Sequence, residues 1–211
     1  MKHFCMFFLV CLFVICFAAG PVLCAEIIKY DFEDGDEGWK IPDWAYYQKD
    51  HKAVSSEVST DVSYSGKKSL KVIYDFPGNV WAAGIVEVEK DYDLTDYDEI
   101  SVEVFLPKSG PQDLILARLI LTVGIGWQFT EMRHPVILER GKWTKVSAKL
   151  ESQEVPESDW KGRGPRRLYH NIGKVAKIAV RAEYDAAPPH RIGPRYEGPL
   201  YIDNLLITPK K

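Results

Sequence analysis

The sequence predicts an all-β fold, a β-sandwich of jelly-roll type built from two antiparallel sheets. Three observations carry the prediction. Apolar and polar residues alternate over many short runs, the period of a strand with one buried face. Gly- and Pro-containing turns, such as Pro77-Gly78-Asn79 and Pro107-Lys108-Ser109-Gly110-Pro111, punctuate those runs. No segment beyond the first residues has the amphipathic period of a helix.

The chain opens on Lys2 and His3, then an apolar run from Phe4 to Ala19, small residues and Cys24-Ala25. A basic start, a short apolar core and a small-residue end read as a signal peptide over 1–25, leaving a single domain over 26–211. The run is short for a membrane span. The expected location is therefore secreted or extracellular, with no membrane insertion once the leader is removed. Lipoprotein anchoring through Cys24 is the alternative, disfavoured by the bulky Leu23 before it.

Strands are expected in order at Glu26–Phe32, Trp44–Lys49, Ala53–Ser59, Ser69–Phe76, Val80–Val88, Glu99–Leu106, Leu114–Val123, Trp143–Leu150, Lys174–Tyr184 and Leu200–Thr208. Glu99–Leu106 is the clearest. It places Ile100, Val102, Val104 and Leu106 on one face and Ser101, Glu103 and Phe105 on the other. Leu114–Val123 is more continuously apolar and suits a central strand. Lys174–Tyr184 alternates with Val175, Lys177 and Ala179 opposing Ala176, Ile178 and Val180. Two irregular stretches, Glu151–His170 and Asp185–Gly198, are long enough to carry function.

Composition excludes several chemistries. All four cysteines (Cys5, Cys11, Cys16 and Cys24) lie in the leader. A chain beginning at Glu26 thus has no disulfide framework, no thiol nucleophile and no Cys-based zinc site. Loss of Lys2 takes the formal net charge from −3 to −4 with mixed signs, which suits neither a nucleic-acid nor an anionic-membrane surface.

The six Trp and eleven Tyr point elsewhere. Sugar rings present flat C–H faces that stack on aromatics, and edge hydroxyls that need planar polar partners. Trp44, Tyr46 and Gln48 would share one strand face, Trp81 stands at a strand start, and Trp127 follows Gly124-Ile125-Gly126. Gln128, Glu131 and Arg181 supply polar groups. Trp39 and Trp143 are expected in the core, and Trp160 lies in a polar loop.

A second set of residues is acidic. Asp31 and Glu33 flank Phe32 near the start, and Asp203 lies in the last strand. If the first and last strands are neighbours, Glu33 and Asp203 share a hard-cation position, and the Ser65-Gly66-Lys67-Lys68-Ser69-Leu70 turn supplies carbonyls.

Three motifs recur in this order in secreted jelly-roll carbohydrate-binding modules: Phe32-Glu33-Asp34-Gly35, Gly66-Lys67-Lys68-Ser69-Leu70 and Tyr201-Ile202-Asp203-Asn204. The chain resembles them over nearly all of 26–211. It is most similar to mannan-binding modules of bacterial mannanases, which end in a Tyr-x-Gly-Pro-x-Tyr-x-Asp-Asn stretch like Tyr196 to Asn204. They carry three Trp spaced like Trp44, Trp81 and Trp127. The resemblance implies a structural calcium held by Glu33, the Lys68 carbonyl and Asp203, with the Asp31 carbonyl nearby. It implies non-catalytic binding of a β-linked plant polysaccharide, of β-mannan or β-glucan type. It also implies a partner catalytic domain or enzyme outside this chain. The Pro-rich Asp185–Gly198 loop departs from that family.

The enzyme alternative is a polysaccharide-degrading lyase or glycoside hydrolase. Glu87 and Glu89 share a strand face as a glycosidase pair would, although the surrounding Glu-Val-Glu-Lys-Asp does not match a jelly-roll hydrolase. A lyase would draw on Tyr169-His170 and His190-Arg191, with Arg163, Arg166 and Arg167 for an acidic sugar. A protein-binding adhesion module is the third class, and it requires an exposed apolar patch.

Overall fold

The computed structural model describes residues 25–124, 128–132, 134–150, 166–167, 171–186, 189 and 191–211. Residues 1–24, nearly all of the expected leader over 1–25, lie outside the described residues. Among the described residues, twelve strands form two sheets. The first comprises β1 (Ile28–Tyr30), β2 (Ala53–Ser59), β3 (Ser69–Phe76), β5 (Tyr97–Leu106), β9 (Lys142–Lys149) and β12 (Tyr196–Pro209). Its order is β2-β3-β12-β5-β9, with β1 also on β12. The second comprises β4 (Ala82–Tyr92), β6 (Ile115–Val123), β7 (Gln128–Glu131), β8 (Val136–Ile137), β10 (Arg166–Arg167) and β11 (Val175–Tyr184). Its order is β10-β7-β6-β11-β4, with β8 also on β6. Pairing is antiparallel except for β10 on β7.

Strand alternation builds the core between the sheets. Leu70, Val72, Tyr74 and Phe76 of β3 and Ile100, Val102, Val104 and Leu106 of β5 face inward and are buried. From the second sheet Val86, Val88, Leu119, Leu121, Ile178 and Val180 meet them. Tyr74 and Phe76 stack at 5.1 Å, and Tyr184 leans on Phe76 at 5.6 Å.

Three expectations about local structure are corrected. Trp44–Lys49 is not a strand: Asp43–Tyr47 is a 3-10 turn. Pro42 enters it in extended conformation, Ala45 N–H donates to Pro42 O at 2.9 Å, and only Ala45 is buried. The first strand stops at Tyr30, because Phe32 takes a φ of 60° and turns the chain. Phe32 is still buried and Asp31 and Glu33 are not, but a bend produces that pattern. In β11 an irregularity between Val175 and Lys177 breaks the alternation, so Val175 joins Ile178 in the core while Lys177 stays with Ala179.

Trp39 is buried as expected. Trp143 is not in the core. It is half-buried on the outer face of the first sheet, opposite Phe105 in the register and edge-on to Tyr64 at 5.8 Å.

Candidate functional site: an aromatic groove on the outer face of the second sheet

Outward-facing positions of β4, β6 and β11 create an apolar floor. Ile85, Ile120 and Ala179 cluster there, isolated from the main core. They are cross-strand neighbours: Ala179 lies between Ile120 and Glu87 in the register, and Arg181 between Arg118 and Ile85. Above the floor opens a groove of about 260 Å³ lined by Trp44, Gln48, Asp50, His51, Trp81, Ala83, Gly84, Ile85, Ile120, Phe129 and Arg181.

Three rings rise around it. Trp44 is 41% exposed, Trp81 47% and Phe129 49%, high values for side chains of this size. Trp44 comes from the 3-10 turn, Trp81 from the residue before β4, and Phe129 from β7. Trp44 meets Phe129 edge to face at 6.4 Å and His51 at 6.1 Å, so one ring connects both walls.

The turn places Trp44 because its exit is pinned. Gln48 N–H closes on Ala45 O at 3.0 Å and His51 N–H on Gln48 O at 3.2 Å. Lys52 N–H then docks on Ala83 O at 2.7 Å, fixing the segment to the open edge of β4.

Charged side chains border the floor in matched sets. At one end Arg181 donates from Nε to Glu183 Oε1 at 2.9 Å and from Nη2 to Glu131 Oε2 at 2.5 Å. Arg118, beside it on β6, donates from Nη2 to Glu183 Oε2 at 3.1 Å and from Nη1 to Met132 O at 3.1 Å. At the other end Lys177 bridges Glu87 at 2.6 Å and Glu89 at 3.1 Å. Burial pulls the Lys177 pKa down, but its bonds to those carboxylates outweigh it and the net shift is upward. Glu183 and Glu87 are both buried, which fixes the head groups they hold.

Of the residues proposed from sequence, Trp44, Gln48, Trp81 and Arg181 converge on this groove. Tyr46 does not line it. In a 3-10 turn positions i and i+3 eclipse, so Trp44 and Tyr46 diverge, and Tyr46 is 60% exposed. Gln128 opens β7 beside Phe129 but is not part of the lining. Glu131 acts through Arg181, not at the groove surface. Trp127 and Trp160 lie outside the described residues.

Sequence reasoning missed Phe129 and His51. Nothing in the short run around Phe129 marks its ring as exposed, and only the tertiary path of residues 48–52 along β4 brings His51 in.

The acidic residues meet at a different corner, beside β12. Glu33 Oε1 accepts the N–H groups of Lys67 and Lys68 at 2.7 and 2.8 Å, and Lys68 Nζ donates to Glu33 O at 2.6 Å. Asp203 Oδ2 accepts from Tyr64 and Ser65 N–H at 2.7 and 3.0 Å. Its Oδ1 accepts from Asn204 N–H at 2.6 Å. Asp31 pairs with Lys29 at 2.8 Å. Glu33 and Asp203 thus both grip the turn before β3 through its amides. Amide bonds to Glu33 fall on Oε1, leaving Oε2 and the nearby carbonyls as oxygen donors.

Asp203 is fully buried and its pKa is pushed up by burial, against the pull of the Ser65, Tyr64 and Asn204 amides, with Asp31 adding repulsion. Glu103, its register partner, is raised by burial and by Asp203, against Lys145. Buried carboxylates in like-charged company are a donor set that a hard cation would relieve. No group of three or more His, Cys, Asp or Glu side chains converges on a metal position among the described residues. Backbone carbonyls would have to complete the shell.

Of the enzymatic candidates, Glu87 and Glu89 do share a face but both clasp Lys177. Tyr169, His170, His190 and Arg163 lie outside the described residues, and Arg191 is engaged by Asp185 at 2.6 Å and by the Asp113 carbonyl.

The sequence profile of the mannanase galactose-binding domain-like family matches residues 30–158, well over half of the chain. The chain belongs to that family. For this galactose-binding-like domain, solved structures give the same architecture at low identity. A carbohydrate-binding module from a study of promiscuous specificity in the β-sandwich superfamily aligns at TM-score 0.55 and 11% identity. That alignment covers 83% of this chain and 59% of that one, so the domain spans little more than half of that structure's length. The CBM22-1 xylan-binding domain from Paenibacillus barcinonensis Xyn10C aligns at 0.51 and 17% identity, covering 89% and 97%. CBM28, specific for non-crystalline cellulose, aligns at 0.54 and 11% identity, covering 85% and 93%. No curated protein sequence matches significantly.

Proposed function

We propose that this galactose-binding-like domain binds a β-linked plant polysaccharide, of β-mannan or β-glucan type, along the groove without cleaving it. The observation that carries this reading is the groove itself. Exposed Trp44, Trp81 and Phe129 stand over an apolar floor, and planar Arg and Gln head groups sit at its rim. Rings stack on sugar faces, and the rim meets hydroxyls. Each ring covers a patch worth on the order of 1 kcal/mol. With several hydrogen bonds, less the cost of ordering, the affinity is about −6 to −8 kcal/mol, in the micromolar range. The family's mannanase connection and the ligands of the structural neighbours support this class of partner.

Calorimetric titration of the 26–211 domain with oligosaccharides of mannan, cellulose, β-glucan, xylan and a uronate polymer tests it, with product analysis of the same samples. Saturable binding without new products is expected. Unsaturated or shortened products would replace the reading with the enzymatic one, and silence across the panel would end it.

Calcium belongs to the same proposal as a structural ion. Glu33, Asp203 and the Lys68 and Asp31 carbonyls would hold it, neutralising buried Asp203 and tying the chain ends together. A chelator is then expected to lower Tm by several degrees while the groove still titrates. An unchanged melting curve would remove the ion. The leader supports a secreted protein that brings a partner catalytic domain or enzyme to its polysaccharide.

A further inference from the structure

We infer that His51 is the positioning residue of the groove: its neutral imidazole, by accepting the Ile85 amide, holds Trp44 in its binding arrangement, so acidification releases the ligand. This rests on the glycan reading for its ligand, but not for its structural core.

Among the described residues β4 pairs with β11 on one side, and its other edge meets irregular chain. Lys52 N–H donates to Ala83 O at 2.7 Å, and Lys40 and Glu87 exchange backbone bonds at 3.0 and 2.9 Å. Between these crossings the amide of buried Ile85 takes a side chain instead: it donates to His51 Nε2 at 2.9 Å. A ring nitrogen that accepts carries no proton, so the structure assigns the proton to Nδ1. The same imidazole meets Trp44 edge to face at 6.1 Å, and Trp44 in turn meets Phe129.

A protonated ring has an N–H at both nitrogens. The Ile85 amide would lose its acceptor and face a second donor. The ring must then swing away, and Trp44 goes with it.

The charges around the ring do not forestall this. The backbone at Ile85 and Ala53 and the Asp50 carboxylate favour the cation, and Lys52 opposes it. Across the groove Arg181 is balanced by Glu131 and Glu183. The 3-10 turn and β4 present Trp44 and Ile85, which are uncharged. Burial is the leading influence and holds the imidazole below its ordinary value. Affinity is therefore level above that midpoint, in the range under about 6.5, and falls by up to about tenfold per pH unit beneath it.

The test is calorimetry with a soluble β-mannan between pH 4.5 and 8 on wild type, His51→Gln and His51→Ala. A Gln oxygen can accept the Ile85 amide and does not titrate. The expected results are a steep acid limb in wild type, a level profile in H51Q with most of the affinity recovered, and at least tenfold weaker binding in H51A at every pH. A level wild-type profile, or an acid limb that survives in H51Q, overturns the inference.

If wild type binds no glycan even at pH 7.5, the glycan reading fails and the ligand-free protein decides. NMR titration of His51 and tryptophan emission should then share one midpoint, with the emission change absent in H51Q and in Trp44→Phe. Emission that ignores the His51 midpoint overturns the inference independently.

Discussion

At the scale of single residues, the groove divides stacking from steering. Trp44 and Trp81 present exposed rings and carry little of the core, so their loss is felt by the ligand more than by the fold. Trp44→Ala and Trp81→Ala are each expected to weaken glycan affinity five- to tenfold, about 1 kcal/mol, with Tm within about 2 °C of wild type. Titration and scanning calorimetry on one preparation check both halves. Binding that matches wild type in both variants would move the site elsewhere. The sequence marked Trp44 for sharing an expected strand face with Tyr46 and Gln48, and Trp81 for standing at an expected strand start. It could not mark Phe129, whose exposure depends on β7 being a short strand at the groove wall.

At the scale of elements, the rim is a cross-strand device. Arg118 on β6 and Arg181 on β11 are directly opposed in the register, an arrangement that like charges oppose. Glu183 and Glu131 make it tolerable by receiving both guanidinium groups. Arg181→Met would leave two largely buried carboxylates with Arg118 alone. We expect a destabilisation of about 1–3 kcal/mol, partly recovered by adding Glu131→Gln, as read from urea midpoints. Full additivity of the two substitutions would mean that the ladder is not coupled.

Elements also set what the sequence could disclose. The core faces of β3 and β5 were legible because strict alternation leaves one reading. The stretch from Trp44 to Lys49, expected as a strand, instead runs through the 3-10 turn Asp43–Tyr47. The difference lies in Pro42, which ends the preceding path, and in Ala45, the one side chain small enough to bury there. Periodicity over so few residues does not separate the two.

At the scale of the whole molecule, Asp203 couples the last strand to the loop before β3 and, through that loop, to Glu33 near the first strand. Asp203→Asn would turn an NH2 group toward amides that now donate to a carboxylate. The expected cost is about 1–3 kcal/mol, measured by denaturant unfolding, with groove affinity at saturating stability unchanged. Stability equal to wild type would mean that this corner is ornamental. That Glu33, Asp203 and the turn before β3 belong to one corner was suggested by their motifs. That the turn would offer them N–H groups was not, because Gly66 decides it: its φ is 64°, and a Cβ there would lie 2.5 Å from Glu33 Oε1.

The pairing of Ile28 with Ile207 brings the two ends of the fold side by side on the first sheet. The groove opens on the outer face of the second. Polypeptide attached at either end would therefore leave from behind the bound glycan, and both attachments would share one hinge point. A neighbour tethered there could swing over a wide arc while the domain stayed flat against its polymer, like a boat riding at a single mooring.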